Sequence, residues 1–284
     1  MIDPALVARI SDLELVARIV VEGTLSGLHR SPFHGYDAEF SQYRRYRPGD
    51  DLKHLDWKLA ARTGRLYTKQ FRETTNLAAA LVVDDSASMG FPDARLSKFR
   101  YAATSAAALA YLISSQGDAV GLVAREVFVG ARTGRRHLQS LLARLSRLAP
   151  AGAFRTDEAI ALAADRLRGR GVLIVLSDLY DEEERTFEAL RRAVRRGHEV
   201  AVLHIVSPQE VDFPYARDVE FVDLETGRRA ALDAGAARRA YRDNVTAFLE
   251  RWRSRAGSEG IQYALVTTDT PPDRALRRFL LARA

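Results

Sequence analysis

Three oxygen-bearing side chains stand at alternate positions where an apolar run of the sequence ends. In residues 77–90, LAAALVVDDSASMG, Asp84, Ser86 and Ser88 follow directly after a segment with the composition of a buried strand. A carboxylate and two hydroxyl groups are hard oxygen donors, the kind that Mg²⁺ and similar cations bind in proteins. The spacing therefore predicts a loop that binds a divalent cation.

Two side chains elsewhere in the sequence can complete this donor set. Thr156 lies in FRTDEAI, where a helical pattern opens, and Asp178 ends the apolar run GVLIVLSDL. Together with the first loop they predict a Mg²⁺ or Mn²⁺ site. The alternative is that these residues only form turns and cap helices, since Asp, Ser and Thr favour both positions.

The elements that must position these residues alternate between strand and helix from residue 77 onward. Strands are predicted at 77–84, 118–125, 126–131, 171–179, 198–206 and 261–269, with 77–84 and 171–179 buried and with 118–125 and 126–131 forming a hairpin. Helices are predicted at 95–116, 135–148, 156–168, 181–197 and 236–257. Such alternation predicts an α/β domain, Rossmann-like, with a mostly parallel sheet and helices on both faces. Ligands of open parallel sheets bind just beyond the carboxyl ends of the strands, where residues 84 and 178 are expected.

Residues 1–76 differ in composition and periodicity from the rest of the chain. They open with an amphipathic helical pattern at residues 3–22 and then lose periodicity in a stretch rich in aromatics, Arg, Gly and Pro. Strand-like pieces such as LYTKQF occur within it. We predict a small, irregular, β-rich N-terminal module over residues 1–76 and the α/β domain over residues 77–284.

The metal-binding pattern resembles a known site. Asp-x-Ser-x-Ser at 84–88, followed by Thr156 and then by Asp178, is similar to the metal-ion-dependent adhesion site of von Willebrand factor type A domains. The resemblance implies that the serines and the threonine bind the metal directly or through water. It also implies that the aspartates act mainly through water and that a partner's carboxylate completes the octahedron. Arg155 departs from the pattern, which commonly has glycine there.

A second resemblance lies in the N-terminal stretch. It is similar to the signature of the domain of unknown function 58 family, carried here by Phe40, Tyr43, Arg44, Tyr46, Pro48, Gly49, Asp50, Asp51, Asp56, Trp57, Lys58, Ala61, Arg62 and Thr63. The resemblance implies an intracellular protein with an adaptor or chaperone-like role. It also implies a MoxR-type AAA+ ATPase as the partner.

Several residues of this signature are candidates for an interface. They are Arg44, Tyr46, Asp50, Asp51, Asp56, Trp57 and Arg62. We expect the acidic residues to pair with nearby arginines, the arginines to stack on tyrosines, and Trp57 to pack between the modules. The interleaved arginines and tyrosines are also the best candidates for contact with RNA or phosphate.

Composition limits the remaining possibilities. The 284 residues include no cysteine, which excludes disulfides, thiolate nucleophiles and cysteine-bound zinc, and suits a reducing cytoplasm. No apolar run approaches the roughly 18 residues of a membrane span, so we expect a cytoplasmic protein. The net charge of +6 is spread over helical patterns that also contain glutamates, which makes nucleic acid an unlikely partner.

Three functions remain open from the sequence. The leading hypothesis is a non-enzymatic adaptor that binds an acidic residue of a partner protein through a bridging Mg²⁺. The alternatives are a metal-dependent hydrolase or phosphotransferase using the same site, and nucleic-acid binding by the basic N-terminal module.

Overall fold

The structure is a computed structural model that describes residues 12–25, 38–47, 55–73, 77–91, 96–215 and 218–282. Its helices are α1 (Leu13–Leu25), α2 (Trp57–Thr63), α3 (Lys98–Ser115), α4 (Arg135–Leu145), α5 (Thr156–Arg166), α6 (Glu183–Arg195), α7 (Pro208–Asp212), α8 (Ala234–Ser258) and α9 (Pro272–Leu281). Its strands are β1 (Ala38–Arg45), β2 (Tyr67–Glu73), β3 (Ala78–Val83), β4 (Ala119–Ala124), β5 (Val127–Arg132), β6 (Val172–Ser177), β7 (Glu199–Val206), β8 (Asp218–Val222), β9 (Arg229–Asp233) and β10 (Gln262–Thr267).

A six-stranded sheet forms the centre of the α/β unit, in the order β10-β7-β6-β3-β4-β5. Its neighbouring strands run parallel except for β5, which returns antiparallel to β4. This confirms the mostly parallel α/β sheet predicted from the sequence, including the hairpin at 118–131. Because Val83 lies opposite Leu176 in the register, β3 and β6 end side by side. The residues that follow them therefore emerge at the same edge of the sheet.

Helices cover both faces of this sheet, which explains why β3 and β6 are apolar at consecutive positions. On one face, α3 packs against β3 and β4. On the other face, α5, α6 and α8 contribute Ile160, Leu190 and Trp252 to a buried cluster with Val82 and Val175. Leu81, on the opposite face of β3 from Val82, is also fully buried. The strands that lead to the predicted metal site are therefore rigidly packed.

Close approach of β3 and β6 requires glycine at one position. A Cβ atom placed on Gly171, just before β6, would lie 2.4 Å from the carbonyl oxygen of Ala78 at the start of β3. Side-chain carbon atoms do not approach a carbonyl oxygen so closely, and either strand would have to move. Gly171 therefore sets the spacing at which this strand pair begins.

The first helix belongs to the α/β unit and not to the N-terminal module. Helix α1 packs against α3 and α9, and its Ala17 and Val20 are fully buried. The chain divides into residues 33–76 on one side and residues 1–32 with 77–284 on the other. This differs from the predicted division at residues 1–76. The amphipathic pattern predicted the helix correctly, but periodicity does not indicate which surface a helix will cover.

Residues 33–76 form the smaller unit. Strands β1 and β2 pair antiparallel, with the short helix α2 between them in sequence. The Asp56 side chain caps this helix by accepting the Leu59 N–H, and Gly64 ends it in the left-handed conformation that suits glycine. The strands agree with the β-rich module predicted from the sequence, whereas α2 was not predicted.

The segment between β7 and α8 also contains elements that the sequence analysis missed. Helix α7 begins at a capping box formed by Ser207 and Glu210, and the β8–β9 hairpin follows it. Phe213 stacks on Phe221 of this hairpin and lies against Tyr241 of α8. Neither strand has a buried apolar run, which explains why strand periodicity did not reveal the hairpin. Across the parts of the chain that the structure describes, no helix has both the length and the apolar character needed to cross a membrane.

Candidate metal centre

Backbone hydrogen bonds hold together the three loops that contain the predicted metal ligands. The Asp84 N–H donates to the Leu176 carbonyl oxygen at 3.0 Å, which joins the ends of β3 and β6. The Ala87 N–H donates to the Gly152 carbonyl oxygen at 2.8 Å, which joins the first loop to the segment that leads to Thr156. Three segments far apart in sequence thus meet at one edge of the sheet.

Asp84 lies at the bottom of this site. Its Oδ1 accepts the Ser86 N–H at 2.8 Å, and its Oδ2 accepts the Ser177 hydroxyl at 2.6 Å. Burial and, to a smaller extent, the Asp178 carboxylate raise the pKa of Asp84 to about 7, against the opposing hydrogen bonds of the two serines. A buried carboxylate with a raised pKa is poised to gain a cationic partner.

The two serines of the first loop connect to Asp178. The hydroxyl oxygens of Ser86 and Ser88 lie 3.0 Å apart, and the Ser88 hydroxyl donates to Asp178 Oδ2 at 2.9 Å. Asp178 is nearly fully buried, and its Oδ1 accepts the Tyr180 N–H at 3.3 Å. Four of the five predicted residues therefore form one hydrogen-bonded group, together with Ser177.

Thr156 is placed by the loop that carries Asp178. Its N–H donates to Asp181 Oδ2 at 2.9 Å, and its side chain is fully buried. Its hydroxyl oxygen has no hydrogen-bond partner among the described residues. The sequence left open that Thr156 only caps a helix, but Arg155 occupies the N-cap position of α5 and Thr156 is the first helical residue. A buried hydroxyl without a partner carries a free-energy penalty that a ligand would remove.

The donor set fits a hard divalent cation. Three hydroxyl groups and two carboxylates provide oxygen donors, and the buried Thr156 oxygen lacks a partner among the described residues. Within the described ranges, no three His, Cys, Asp or Glu side chains are grouped to hold a metal ion, so hydroxyl groups form the larger part of this donor set. The chemistry therefore suits Mg²⁺ or Mn²⁺ and not zinc, which favours nitrogen and sulfur.

Two charged residues of this site were not predicted from the sequence. Lys98 begins α3, and its ammonium donates to Asp178 Oδ2 at 2.8 Å and to Glu210 Oε1 at 2.5 Å. The Ser-Pro-Gln-Glu sequence at 207–210 is a readable capping-box signal that would have predicted α7 and therefore the position of Glu210. Nothing comparable in the sequence distinguishes Lys98 from an exposed lysine at a helix start.

Asp85 and Arg155, which adjoin predicted ligands in the sequence, have other contacts. Asp85 turns away from Asp84 and accepts the Arg125 N–H at 3.0 Å, at the end of β4. Arg155, which replaces the usual glycine, pairs with Asp157 and Glu158 of its own helix, in each case at 3.2 Å. Its charge is therefore shared with acidic side chains at the surface.

His204 is a buried histidine on the strand beside Asp178. It pairs with Ser177 in the register of β6 and β7, and its Nδ1 lies 2.7 Å from the Tyr263 hydroxyl. Its ring meets Phe248 and Trp252 edge-on. Burial lowers the pKa of His204 to about 4, so the ring is neutral at physiological pH.

The backbone just beyond Asp178 is strained. Leu179 has a φ of 56°, a conformation that branched side chains avoid, and it is almost fully buried. Its N–H donates to the Ser177 hydroxyl at 2.9 Å, the same hydroxyl that donates to Asp84. Strain of this kind concentrates at functional sites, where the surrounding contacts hold it.

Comparison with known proteins identifies the family. The model of the family described as "Protein of unknown function DUF58" matches residues 42–251, which is most of the chain. The chain belongs to the DUF58 family. Uncharacterized proteins of Mycobacterium tuberculosis and Mycobacterium bovis are each 35% identical to it over 233 residues, covering 79% of this chain and 73% of theirs.

The DUF58 protein also resembles solved structures. The conserved hypothetical protein BatB from Bacteroides thetaiotaomicron aligns with a TM-score of 0.50 and 17% identity, over 73% of this chain and 98% of BatB. The SpRpn10 VWA domain aligns with a TM-score of 0.41 and 13% identity, over 70% of this chain and 93% of that domain. The strand order described above and the match to BatB give this DUF58 protein a von Willebrand factor type A-like fold.

The interface candidates of the DUF58 signature have mixed environments. Tyr46 and Arg44 are half-buried and Arg62 is exposed, whereas Asp50 and Asp51 lie outside the described residues. Oδ2 of Asp56 accepts the Tyr43 hydroxyl at 2.9 Å, and its Oδ1 caps α2. The pairing of Asp56 with an arginine stays a prediction.

Trp57 lies at the surface of the smaller unit. Its side chain is 65% exposed, and its packing between the modules stays a prediction. Trp57 is the first residue of α2, a helix that has no buried residue. An exposed tryptophan remains available to a partner.

Proposed function

We propose that this DUF58 protein is a non-enzymatic adaptor that binds an acidic residue of a partner protein through Mg²⁺ or Mn²⁺ held by Asp84, Ser86, Ser88, Thr156 and Asp178. The von Willebrand factor type A-like fold suggests a role in protein interaction. The metal-bridged mode of binding goes beyond the fold and rests on the chemistry of the site.

One observation carries the proposal. The Thr156 hydroxyl is fully buried at the edge where the other four residues meet, and it has no partner among the described residues. A helix-capping threonine would use this hydroxyl in the cap. An oxygen kept free at the same edge as Asp84 and the two serines is what a cation site requires.

The protein's own residues would hold the ion with few formal charges. Ser86, Ser88 and Thr156 offer neutral oxygens, while Asp84 and Asp178 supply the negative charge. When bound, the divalent cation would supply a positive charge with a coordination position open to a carboxylate oxygen from outside. The backbone bonds between the three loops keep the donors in place without a ligand, so little ordering is needed on binding.

A binding role is preferred to hydrolysis or phosphoryl transfer because, among the described residues, the histidine beside the site is not placed to act as a base. His204 is fully buried against aromatic rings and bonded to Tyr263. A phosphoaspartyl enzyme would need an acid two residues after Asp84, where Ser86 stands, and the neighbouring Asp85 accepts the Arg125 N–H. These contacts support structural roles for both residues.

The partner class follows from the chemistry and from the family. A carboxylate of an aspartate or glutamate is the ligand that a hydroxyl-rich Mg²⁺ site accepts. The DUF58 resemblance adds a MoxR-type AAA+ ATPase as the expected partner.

The proposal is tested by measuring thermal stability in EDTA and in excess Mn²⁺ for wild type and for Asp84→Asn. A ligand that binds only the folded state at about 100 times its Kd stabilises that state by about 2.7 kcal/mol. We expect this gain in wild type and its loss in Asp84→Asn. Capture of a purified MoxR-type AAA+ ATPase is then compared in Mn²⁺ and in EDTA.

Asp165→Asn is the matched control for this experiment. Asp165 is an exposed acid on α5, nine residues after Thr156, or about 14 Å along the helix. This variant should retain the full Mn²⁺ response. Equal stabilisation of Asp84→Asn and wild type by Mn²⁺ would reject the proposed site, and turnover of phosphoesters by wild type would reject the non-enzymatic role.

A further inference from the structure

Lys98 is a fully buried lysine at the predicted metal site. Its side chain has no exposed surface, which is rare for lysine because an ammonium loses strong hydration on burial. Its Nζ atom lies 2.8 Å from Asp178 Oδ2 and 2.5 Å from Glu210 Oε1. The protein therefore places a permanent cation directly on one of the proposed metal-binding carboxylates.

The surroundings of Lys98 fix both its position and its charge. The Tyr180 ring centroid lies 4.9 Å from Nζ, and the Phe91 ring centroid lies 5.9 Å from it. Burial by itself lowers the pKa of Lys98, but the Asp178 and Glu210 carboxylates outweigh it and raise the pKa above its ordinary value. The side chain is thus held as an ammonium by two carboxylates and lies near two aromatic rings.

A second carboxylate, that of Glu210, also holds Lys98 in place. Its Oε1 accepts the ammonium, and its Oε2 accepts the Ser207 N–H at 2.7 Å in the capping box of α7. Glu210 is therefore anchored by the helix start, and Lys98 is anchored by Glu210. The pair forms a fixed dipole with its positive end toward Asp178.

This dipole must affect a cation bound near Asp178. Asp178 Oδ2 already accepts hydrogen bonds from Ser88 and from Lys98, so part of its negative charge is compensated. The ammonium also repels a second positive charge in a low-dielectric environment, where screening by water is weak. Both effects lower the affinity of the site for a divalent cation.

We propose that Lys98 is a resident cation that restrains metal binding at this site, so that firm retention of the ion requires an additional carboxylate from a partner. Lys98 is a positioning residue, because it acts on the metal through Asp178. The inference rests on the proposed function, since it concerns the same ion. By linkage, a partner carboxylate that favours the bound ion is itself bound more tightly when the ion is present.

The test is a titration with Mn²⁺ alone, in which electron paramagnetic resonance measures the concentration of the free ion. Lys98→Met with Glu210→Gln removes the pair together and leaves no unpaired buried charge from it. We expect this double variant to bind Mn²⁺ at least tenfold more tightly than wild type. Glu210→Gln alone keeps the Lys98 ammonium but removes the Glu210 carboxylate beside it. We expect this variant to bind Mn²⁺ at least threefold more weakly than wild type.

The double variant and Glu210→Gln are expected to change Mn²⁺ affinity in opposite directions, and a merely structural role of Lys98 and Glu210 would not produce this difference. If Lys98 and Glu210 only support the fold, both variants lose Mn²⁺ affinity, which would overturn the inference and leave the proposed function intact. Absence of Mn²⁺ binding in wild type and in both variants would overturn both proposals. Melting in EDTA establishes that each variant is folded. If the double variant does not fold, Glu210→Gln alone decides the question. Mn²⁺ binding by Glu210→Gln that is as tight as in wild type, or tighter, overturns the inference.

Discussion

The hydroxyl of Ser177 donates a 2.6 Å hydrogen bond to Oδ2 of Asp84, joining the last residue of β6 to the residue that follows β3. Both residues are almost fully buried. With Oδ1 accepting the Ser86 N–H, each carboxylate oxygen of Asp84 is oriented by the protein before any ligand arrives. Hydrogen bonds alone do not offset the burial of this carboxylate, since its pKa remains raised. The fold therefore holds a charge that destabilises it in the absence of a cation.

Asp84→Asn should stabilise the metal-free protein above pH 7. The unfolded chain loses the Asp84 proton near pH 3.8, whereas the folded chain keeps it until about pH 7, so the free energy of unfolding falls as pH rises between these values. Asparagine carries no such penalty. We expect little difference between variant and wild type at pH 4 and a gain on the order of a few kcal/mol at pH 8. Urea denaturation of both proteins in EDTA at pH 4 and pH 8 measures this difference in the free energy of unfolding.

The same variant should fail to bind Mn²⁺, so stability and binding change in opposite directions. An Asp84→Asn protein that is less stable than wild type at pH 8 would contradict the raised pKa. It would indicate that the Ser177 and Ser86 hydrogen bonds fully compensate the charge.

Thr156→Val should separate metal binding from folding. Valine has the shape of threonine and removes a buried hydroxyl that has no partner among the described residues. We expect unchanged stability in EDTA, or a gain of about 1 kcal/mol, because an unsatisfied buried group is lost. Mn²⁺ affinity should fall at least tenfold. Calorimetric titration and chemical denaturation measure the two effects.

Thr104→Val is the matched control. Thr104 on α3 is also fully buried, and its hydroxyl also lacks a partner in the described part of the chain. This variant should show a similar change in stability with wild-type Mn²⁺ affinity. Equal affinities for the two variants would remove Thr156 from the site.

Arg155→Gly, which restores the residue common in the adhesion-site pattern, should change Mn²⁺ affinity by less than about threefold. The guanidinium is 47% exposed and pairs with Asp157 and Glu158, so solvent and these acids already screen its charge. Asp157→Ala removes one of these partners and serves as the comparison. A gain of tenfold or more in Arg155→Gly would show that the arginine opposes the metal.

Val20→Ala should destabilise the α/β unit by about 1–3 kcal/mol, since Val20 of α1 is fully buried and its truncation leaves a cavity. Leu15→Ala, on the exposed side of the same helix, should cost about 0.5 kcal/mol or less. Thermal or urea unfolding of the whole chain compares them. Equal effects would mean that α1 does not pack on this unit in solution.

The sequence predicted those parts of the fold in which apolar pattern and secondary structure agree. Strands such as β3 and β6 are continuous apolar runs, and the residues after them were correctly expected at one edge of the sheet. The β8–β9 hairpin was missed because its strands have five residues each and are largely exposed, so that neither contains a long apolar run. Helix α1 was predicted but assigned to the wrong unit, because its partners α3 and α9 lie far away in sequence.

The oxygen donors of the candidate site could be proposed from the sequence, whereas the contacts of the charged residues Lys98 and Glu210 could not. Asp84, Ser86 and Ser88 lie within five residues, so local spacing reveals them. Lys98 meets Asp178 across 80 residues and Glu210 across 112, and only the packed fold brings such groups together. A lysine at the start of a helix ordinarily extends into water, so its burial cannot be read from residue type.

Gly171 extends the region in which a substitution can disable the site. Seven residues of nearly extended chain, about 23 Å, separate it from Asp178, yet it sets how closely β6 starts against β3. A side chain there would shift the two strands whose far ends carry Asp178 and Asp84. A genetic screen for loss of partner binding should therefore recover changes at the opposite end of the sheet. Such alleles would report on strand spacing and would not mark a second contact surface.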